Sequence, residues 1–371
     1  MIDVIIIGAG IAGTAAAFDL LSRGLSVLLL DKYAFPRKKA CAGGVTPKAK
    51  ALFRYDISSV IQRDCRRINI RPNRGQLFEI RDEKPLCHMT QRWELDEFSL
   101  DMVQRKGAQF QVVQKIVSIE EKHSHMEVRI QDQLIKSHYL IGADGANSIV
   151  RRMTHPFCRV NRYPALEADI RVDNLDAHSM EFDFSMPGKG YYWVFPKKDH
   201  INIGIYSTNG RPALKRQQLA EYAKQRFGVD RLQAIKGYPI GVGGYAFCPG
   251  KGRVLLAGDA AGFGESLLGE GIYFALKTGQ AAARAIIVAA SVTSLSQGGG
   301  SFRDNGVSPG VAYARKIKQI RTDLRLYHFS AICLYTFPRV SLKLLSHPFF
   351  HKRFAKGYAD GKTLGQIFFF R

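Results

Sequence analysis

The chain has 371 residues, 46% of them hydrophobic and 23% charged, with 54 Lys and Arg against 32 Asp and Glu and a formal net charge of +22. That composition excludes a disordered chain and leaves room for two domains, or for one nucleotide-binding domain interrupted by a second. The charge calls for an anionic partner, whether membrane, nucleic acid or acidic protein; no zinc-finger spacing or RRM signature supports nucleic acid, and no apolar run reaches the roughly 18–20 residues that cross a bilayer.

The N-terminal segment predicts strand, turn and helix. Val4 to Ile7 read as a strand buried on both faces, and the run breaks into Gly8, Gly10 and Gly13 before an alanine-rich helix. Gly8 permits the tight turn, Gly10 lets a pyrophosphate approach the backbone, and Gly13 lets the helix pack on the strand. The free N–H groups and the helix dipole then point at the phosphates. A second run, Val27 to Leu30, ends in Asp31, at about the 20-residue spacing where an acid accepts ribose hydroxyls. Lys32 follows as a further candidate contact. The whole context fits a dinucleotide site, and since the apolar run serves as a strand without a basic stretch before it, it is not read as a signal peptide.

Next comes a loop, Phe35 to Pro47, in which basic residues including Arg37 precede a single thiol, Cys41, and Gly43 and Gly44 follow. The glycines let a planar ligand approach the backbone, while the alternative is a surface turn with an inert cysteine. Alternation over Ile68 to Leu86 predicts strands of a second sheet. Arg92 opens a helix; it is placed either to meet a phosphate or to pair on the surface with Asp96 four residues on. Strands are expected from Ala108 to Leu140, followed by a second glycine turn at Asp144 and Gly145.

Alternation from Pro164 to Ile205, with a hairpin turn at Gly188-Lys189-Gly190, predicts the rest of the second sheet. It contains Tyr191, Trp193 and Phe195, which are either an ordinary buried strand or the wall of a pocket. A buried strand from Val254 ends at Gly258 and Asp259, and Gly269-Glu270-Gly271-Ile272 leads into a small-residue helix at Ala275 to Ala290. Gln297 to Gly310 reads as a loop or linker. The tail from Val311 to Arg371 looks helical, aromatic and basic, with twelve Lys or Arg against Asp323 and Asp360. The six cysteines show no C-x-x-C pair, so neither a metal site nor a disulfide framework is expected, and a reducing cytoplasm fits, with attachment to a membrane surface as an addition.

In this order the motifs resemble the FAD-dependent oxidoreductases of the para-hydroxybenzoate hydroxylase fold. The resemblance spans residues 1 to about 290. It implies that Gly8, Gly10, Gly13 and Asp31 hold ADP and that Asp144, Gly145, Gly258 and Asp259 complete the FAD site. Asp259 would meet the ribityl chain, and Gly269, Gly271 and Ile272 would lie near the isoalloxazine. Within that fold the chain resembles the geranylgeranyl reductase family, which saturates isoprenoid double bonds. The F-P-R-x-K-x-C-x-G-G loop at Phe35 to Gly44, the Y-x-W-x-F-P run at Tyr191 to Pro196 and the G-E-G-I of Gly269 to Ile272 carry this.

The resemblance implies an α/β fold: a Rossmann-type FAD-binding domain (1–67, 98–155 and 246–290) interrupted by an antiparallel-sheet substrate domain (68–97 and 156–245), then a linker and basic helical region (291–371). It implies hydride transfer from reduced flavin to an isoprenoid C=C bond of a lipid or pigment, with Cys41, Tyr191 and Trp193 as candidate catalytic residues. No second dinucleotide fingerprint appears, so NAD(P)H would bind transiently or a reduced electron-carrier protein would serve. The alternatives are a flavin-dependent monooxygenase and a flavoprotein that acts as a maturation or binding partner. Glu265 stands beside the expected flavin as a departure from the family pattern.

Overall fold

A computed structural model of the protein describes residues 1–208, 213–243, 246–295 and 308–368. The linker expected at Gln297 to Gly310 lies outside them as far as residue 307, and at Pro309 the chain is already helical. Strand β1 (Ile2–Ile7), helix α1 (Ile11–Leu21) and strand β2 (Val27–Asp31) form the expected unit. β1 lies between β2 and the Gln133–Gly142 strand, parallel to both, and Val254–Leu256 continues the parallel order on the far side. With both faces of these strands covered, an unbroken apolar run is what each position needs: Val4, Ile5 and Ile6 have no exposed surface.

Parallel order has a consequence for the site. The ends of β1, Gln133–Gly142 and Val254–Leu256 come out on one edge of the eight-stranded sheet, with Ile7 beside Gly142 and Gly142 beside Leu256. Gly8, Asp144 and Gly258 therefore meet although they are far apart in sequence, and the carboxyl edge of such a sheet is where nucleotides bind.

The second sheet has seven strands in the order Lys236–Val242, Asn161–Ile170, Ile201–Ser207, Gly190–Pro196, Met180–Asp183, Arg67–Arg71 and Phe78–Arg81. It is antiparallel except where Met180–Asp183 runs parallel to Arg67–Arg71. Gly190–Pro196 is buried on both faces. Tyr191, Trp193 and Phe195 enter one apolar cluster, and Tyr192 and Val194 another, where Tyr192 stacks on Tyr222 with ring centroids 4.1 Å apart. A three-stranded sheet, Gly44–Val45, Cys87–Thr90 and Ile61–Cys65, ties the cysteine loop to the body. The Arg92–Arg105 helix runs unbroken through the boundary expected at residues 97 and 98, with Leu95, Leu100 and Val103 in the nucleotide-side core.

One expectation is overturned. Cys158 and Cys248 form a disulfide, with Cα atoms 6.0 Å apart and a sequence separation of 90. They meet because the chain leaves the nucleotide-side unit near Cys158 and returns to it near Cys248, a tertiary adjacency that no short spacing motif records. With this bond present, the cysteines no longer point to a reducing compartment. Cys41, Cys65, Cys87 and Cys333 are free. The tail forms helices at Pro309–Lys316, Lys318–Thr336, Pro338–Ser346, Pro348–Ala359 and Leu364–Phe368. Among the described residues no helix is long and apolar enough to cross a membrane.

Candidate active site

The glycine turn after β1 is fixed by what surrounds it. Gly8 has φ +104°, and a Cβ there would lie 2.4 Å from the carbonyl oxygen of Ala143. A Cβ on Gly13 would lie 1.9 Å from the carbonyl oxygen of Gly8, so helix and strand touch backbone to backbone. No side chain caps the N-terminus of α1. Asp31 accepts the Ala9 N–H at 2.8 Å and the Tyr33 N–H at 3.1 Å, which holds the turn in register with β2. Lys32 points away: it is exposed, with its ammonium over the Tyr33 ring at 5.4 Å.

Positive charge gathers above that turn. Arg92 Nη2 donates to Asp96 Oδ1 at 2.8 Å, and Arg37 Nη2 lies 3.4 Å from Asp96 Oδ2. The pairing of Arg92 with Asp96 is the one the spacing allowed, but it is buried, not on the surface. Burial opposes the charge on Arg92; the Asp96 carboxylate, hydrogen-bonded to it, outweighs burial and raises its pKa. Arg37 Nε also lies 3.9 Å from Asp31 Oδ2, so two guanidiniums and two carboxylates face one another beside the N-terminus of α1. The Nη2 atom of Arg37 lies 3.2 Å from where a Gly10 side chain would begin.

A cavity opens next to this cradle. It gathers Gly10, Cys41, Gly43, Gly44, Arg92, Gly145, Tyr191, Trp193, Gly258, Asp259, Gly269, Gly271 and Ile272 along one surface. Gly8, Gly13, Asp31 and Arg37 form the turn behind it, and Asp144 caps the next helix start, accepting the Ile149 and Val150 N–H groups at 2.6 and 3.1 Å. The other oxygen of Asp144 is buried without a hydrogen-bond partner. Burial raises the pKa of Asp259, with Lys39 opposing.

The aromatic wall is rigid. Trp193 donates its Nε1–H to Asn202 Oδ1 at 2.8 Å, and its ring lies over Gly204, where a Cβ would come within 1.9 Å of the ring. Tyr191 donates its hydroxyl to the carbonyl of Leu268, and burial, reinforced by Glu265, pushes its pKa well above the usual phenol value. Its proton is therefore held in a structural bond. Cys41 Sγ accepts the Gly43 N–H at 3.4 Å, and no acceptor among the described residues takes its own proton.

Sequence reading passed over several groups. Lys197 is buried beneath the cysteine loop, donating to the carbonyls of Ala42 and Thr90, the latter at 3.0 Å, and burial lowers its pKa. Nothing in its sequence context marks it, since it simply follows Pro196. Tyr327, Phe354 and Tyr358 reach the cavity from the tail helices. Glu265, which the sequence did set beside the expected flavin, accepts N–H groups of Leu267, Leu268 and Glu270 at 2.6, 2.7 and 2.8 Å, yet burial pushes its pKa up to about 7.

The profile of the FAD binding domain family matches residues 1–290. The chain belongs to that family. Among its relatives, an uncharacterised protein of Methanosarcina barkeri is 37% identical over 76% of this chain and 74% of its own length. A menaquinone reductase of Mycolicibacterium smegmatis is 28% identical over 86% and 84%, and a geranylgeranyl diphosphate reductase of Rhodobacter capsulatus 27% over 76% and 74%. Of solved structures, a geranylgeranyl bacteriochlorophyll reductase-like protein of Thermoplasma acidophilum superposes with TM-score 0.75 at 20% identity, covering 97% of this chain and 92% of that one. A flavin-dependent brominase gives TM-score 0.74 at 14% identity over 96% and 93%. These two likenesses describe the fold. The protein is an FAD-dependent oxidoreductase of that family, similar in sequence to a geranylgeranyl diphosphate reductase.

The residues present fit FAD. The uncapped helix, the twin guanidiniums and the Cβ-free Gly10 suit a pyrophosphate, Asp31 suits the ribose, and Gly258, Gly269 and Gly271 line the cavity that the aromatic wall also lines. Bound there, FAD supplies hydride chemistry at its isoalloxazine.

Proposed function

We propose that this enzyme reduces isoprenoid C=C bonds of a lipid or pigment, drawing electrons from NAD(P)H bound transiently or from a reduced carrier protein. The observation that carries the reading is the continuity of the cofactor cradle with a buried wall of Phe182, Tyr191, Trp193, Phe195 and Tyr206. Such a wall excludes water and orients an apolar chain, and the names borne by two relatives, geranylgeranyl diphosphate reductase and menaquinone reductase, agree with it. The chain's own residues then have separable tasks. Arg37 and Arg92 hold phosphate, Trp193 and Tyr191 position the alkene, and Cys41 Sγ is the candidate to deliver a proton. A substrate of this kind partitions into bilayers, so the reading includes work at a membrane surface.

The test is a single turnover. Protein photoreduced under argon and mixed with a polyprenyl lipid should reoxidise, and Cys41→Ser should slow that step while leaving the flavin bound. Absence of any reoxidation by isoprenoids would reject the reading.

A further inference from the structure

We infer that the protein docks on an anionic lipid bilayer through the outer face of three tail helices, Lys318–Thr336, Pro338–Ser346 and Pro348–Ala359. Six large apolar side chains stand exposed there: Phe329, Ile332, Phe337, Val340, Leu344 and Phe349, between 47% and 68% exposed. A helix that buries one apolar stripe in its own protein ordinarily turns polar residues outward. Here the inner side chains, including Leu342 and Ala355, join the cluster that contains Tyr191 and Trp193, and exposed rings and aliphatic groups stand among the exposed cations Arg339, Lys343, Lys352 and Arg353. Six such side chains between residues 329 and 349 are the mark of a docking face.

Charge identifies the occupant. From residue 325 to 356 the chain carries Arg325, Arg339, Lys343, Lys352, Arg353 and Lys356 and no Asp or Glu. None of the six takes part in an ion pair among the described residues. Rings and aliphatic groups enter the acyl boundary of a bilayer while cations meet its phosphates. A bilayer supplies both surfaces at once, phosphate at the level of the cations and acyl chains at the level of the rings. The inference deepens the proposed reading and rests on it in one respect. The docking face is the outer side of helices whose Tyr327, Phe354 and Tyr358 line the cavity, so a bilayer-borne chain would meet the protein at the cavity's own roof.

The test is co-sedimentation of the full-length, FAD-loaded protein with vesicles of phosphatidylcholine, with and without phosphatidylglycerol. Binding should require phosphatidylglycerol and weaken with salt. Phe337→Glu with Val340→Glu should lower the partition coefficient about tenfold or more, and Arg339→Glu with Lys343→Glu should do so at low salt, since each cation near an anionic surface is worth about fivefold. Phe157→Glu, which replaces a ring 94% exposed elsewhere, should change nothing. Retained flavin in every variant reports that it has folded. No binding at low salt, equal loss in the Phe157 variant, or loss on charge reversal but not on apolar replacement would overturn the inference, the last because the apolar side chains would then not enter the bilayer. A water-soluble short isoprenoid should be reduced equally by wild type and the Phe337/Val340 variant. Failure of both to reduce it, with vesicle binding intact, would sink the reductase reading and leave the docking face standing.

Discussion

Lys48 Nζ lies 2.6 Å from Glu270 Oε2 and 2.8 Å from the Tyr327 hydroxyl, tying the loop expected beside the flavin to the tail helices. Three rings, Tyr273, Tyr327 and Tyr358, surround the ammonium at 4.9 to 5.9 Å, and Thr46 donates to the other carboxylate oxygen at 2.6 Å. Burial opposes the lysine's charge, but Glu270 and the tyrosines hold its pKa well above the usual value. Removing one half of such a pair leaves a buried charge alone. Lys48→Met should therefore cost about 3–5 kcal/mol in denaturant unfolding, and adding Glu270→Gln should recover part of it. A Lys48→Met protein as stable as wild type would show that the pair is not what holds the loop.

The contact of Trp193 with Gly204 gives a second expectation. Gly204→Val forces atoms into space the indole fills, at a cost of about 1–3 kcal/mol, and displaces the ring from Asn202. Flavin occupancy should stay unchanged while KM for an isoprenoid rises. A fall in flavin content with KM preserved would mean that Trp193 supports the cradle and not the wall.

The cradle was legible in the sequence because its parts are local: Gly8, Gly10, Gly13 and Asp31 belong to one unit whose period and turn residues follow from backbone sterics. The two later motifs at Asp144 and Asp259 were also legible, since each ends a buried strand. What escaped was tertiary. The Cys158–Cys248 bond joins residues on two chain crossings between units, Lys197 is defined only by the carbonyls above it, and the tail's inner faces look like any aromatic helix until their partners are known. The Arg92–Asp96 spacing named the pair correctly but not its burial, because an i, i+4 spacing holds equally on a helix's inner side.

Gly10→Val tests the cradle by itself. Its side chain would press toward Arg37 Nη2, 3.2 Å from the Cβ, in the space reserved for pyrophosphate. The variant should purify without yellow colour, as read from its flavin absorbance against protein. Full FAD occupancy would reject the assignment of that turn.

Glu265 sets a dependence on pH. Its pKa rises from 4.5 to about 7 because burial disfavours the carboxylate. The folded protein then holds a proton that the unfolded chain releases, so stability is highest below the ordinary value and falls as pH rises through this window. The loss amounts to about 3 kcal/mol. Unfolding measured from pH 4.5 to 7 should give a flatter profile for Glu265→Gln than for wild type, and identical slopes would assign the dependence to other groups.

The mass of the product separates reduction from oxygenation. Reduced protein and an isoprenoid lipid, mixed in deuterium oxide under argon, should yield lipid carrying two added deuterium atoms for each double bond lost and no added oxygen. Lipid that stays unchanged under argon, and gains an oxygen atom from labelled O₂ once the gas is admitted, would contradict the account and make the protein a monooxygenase.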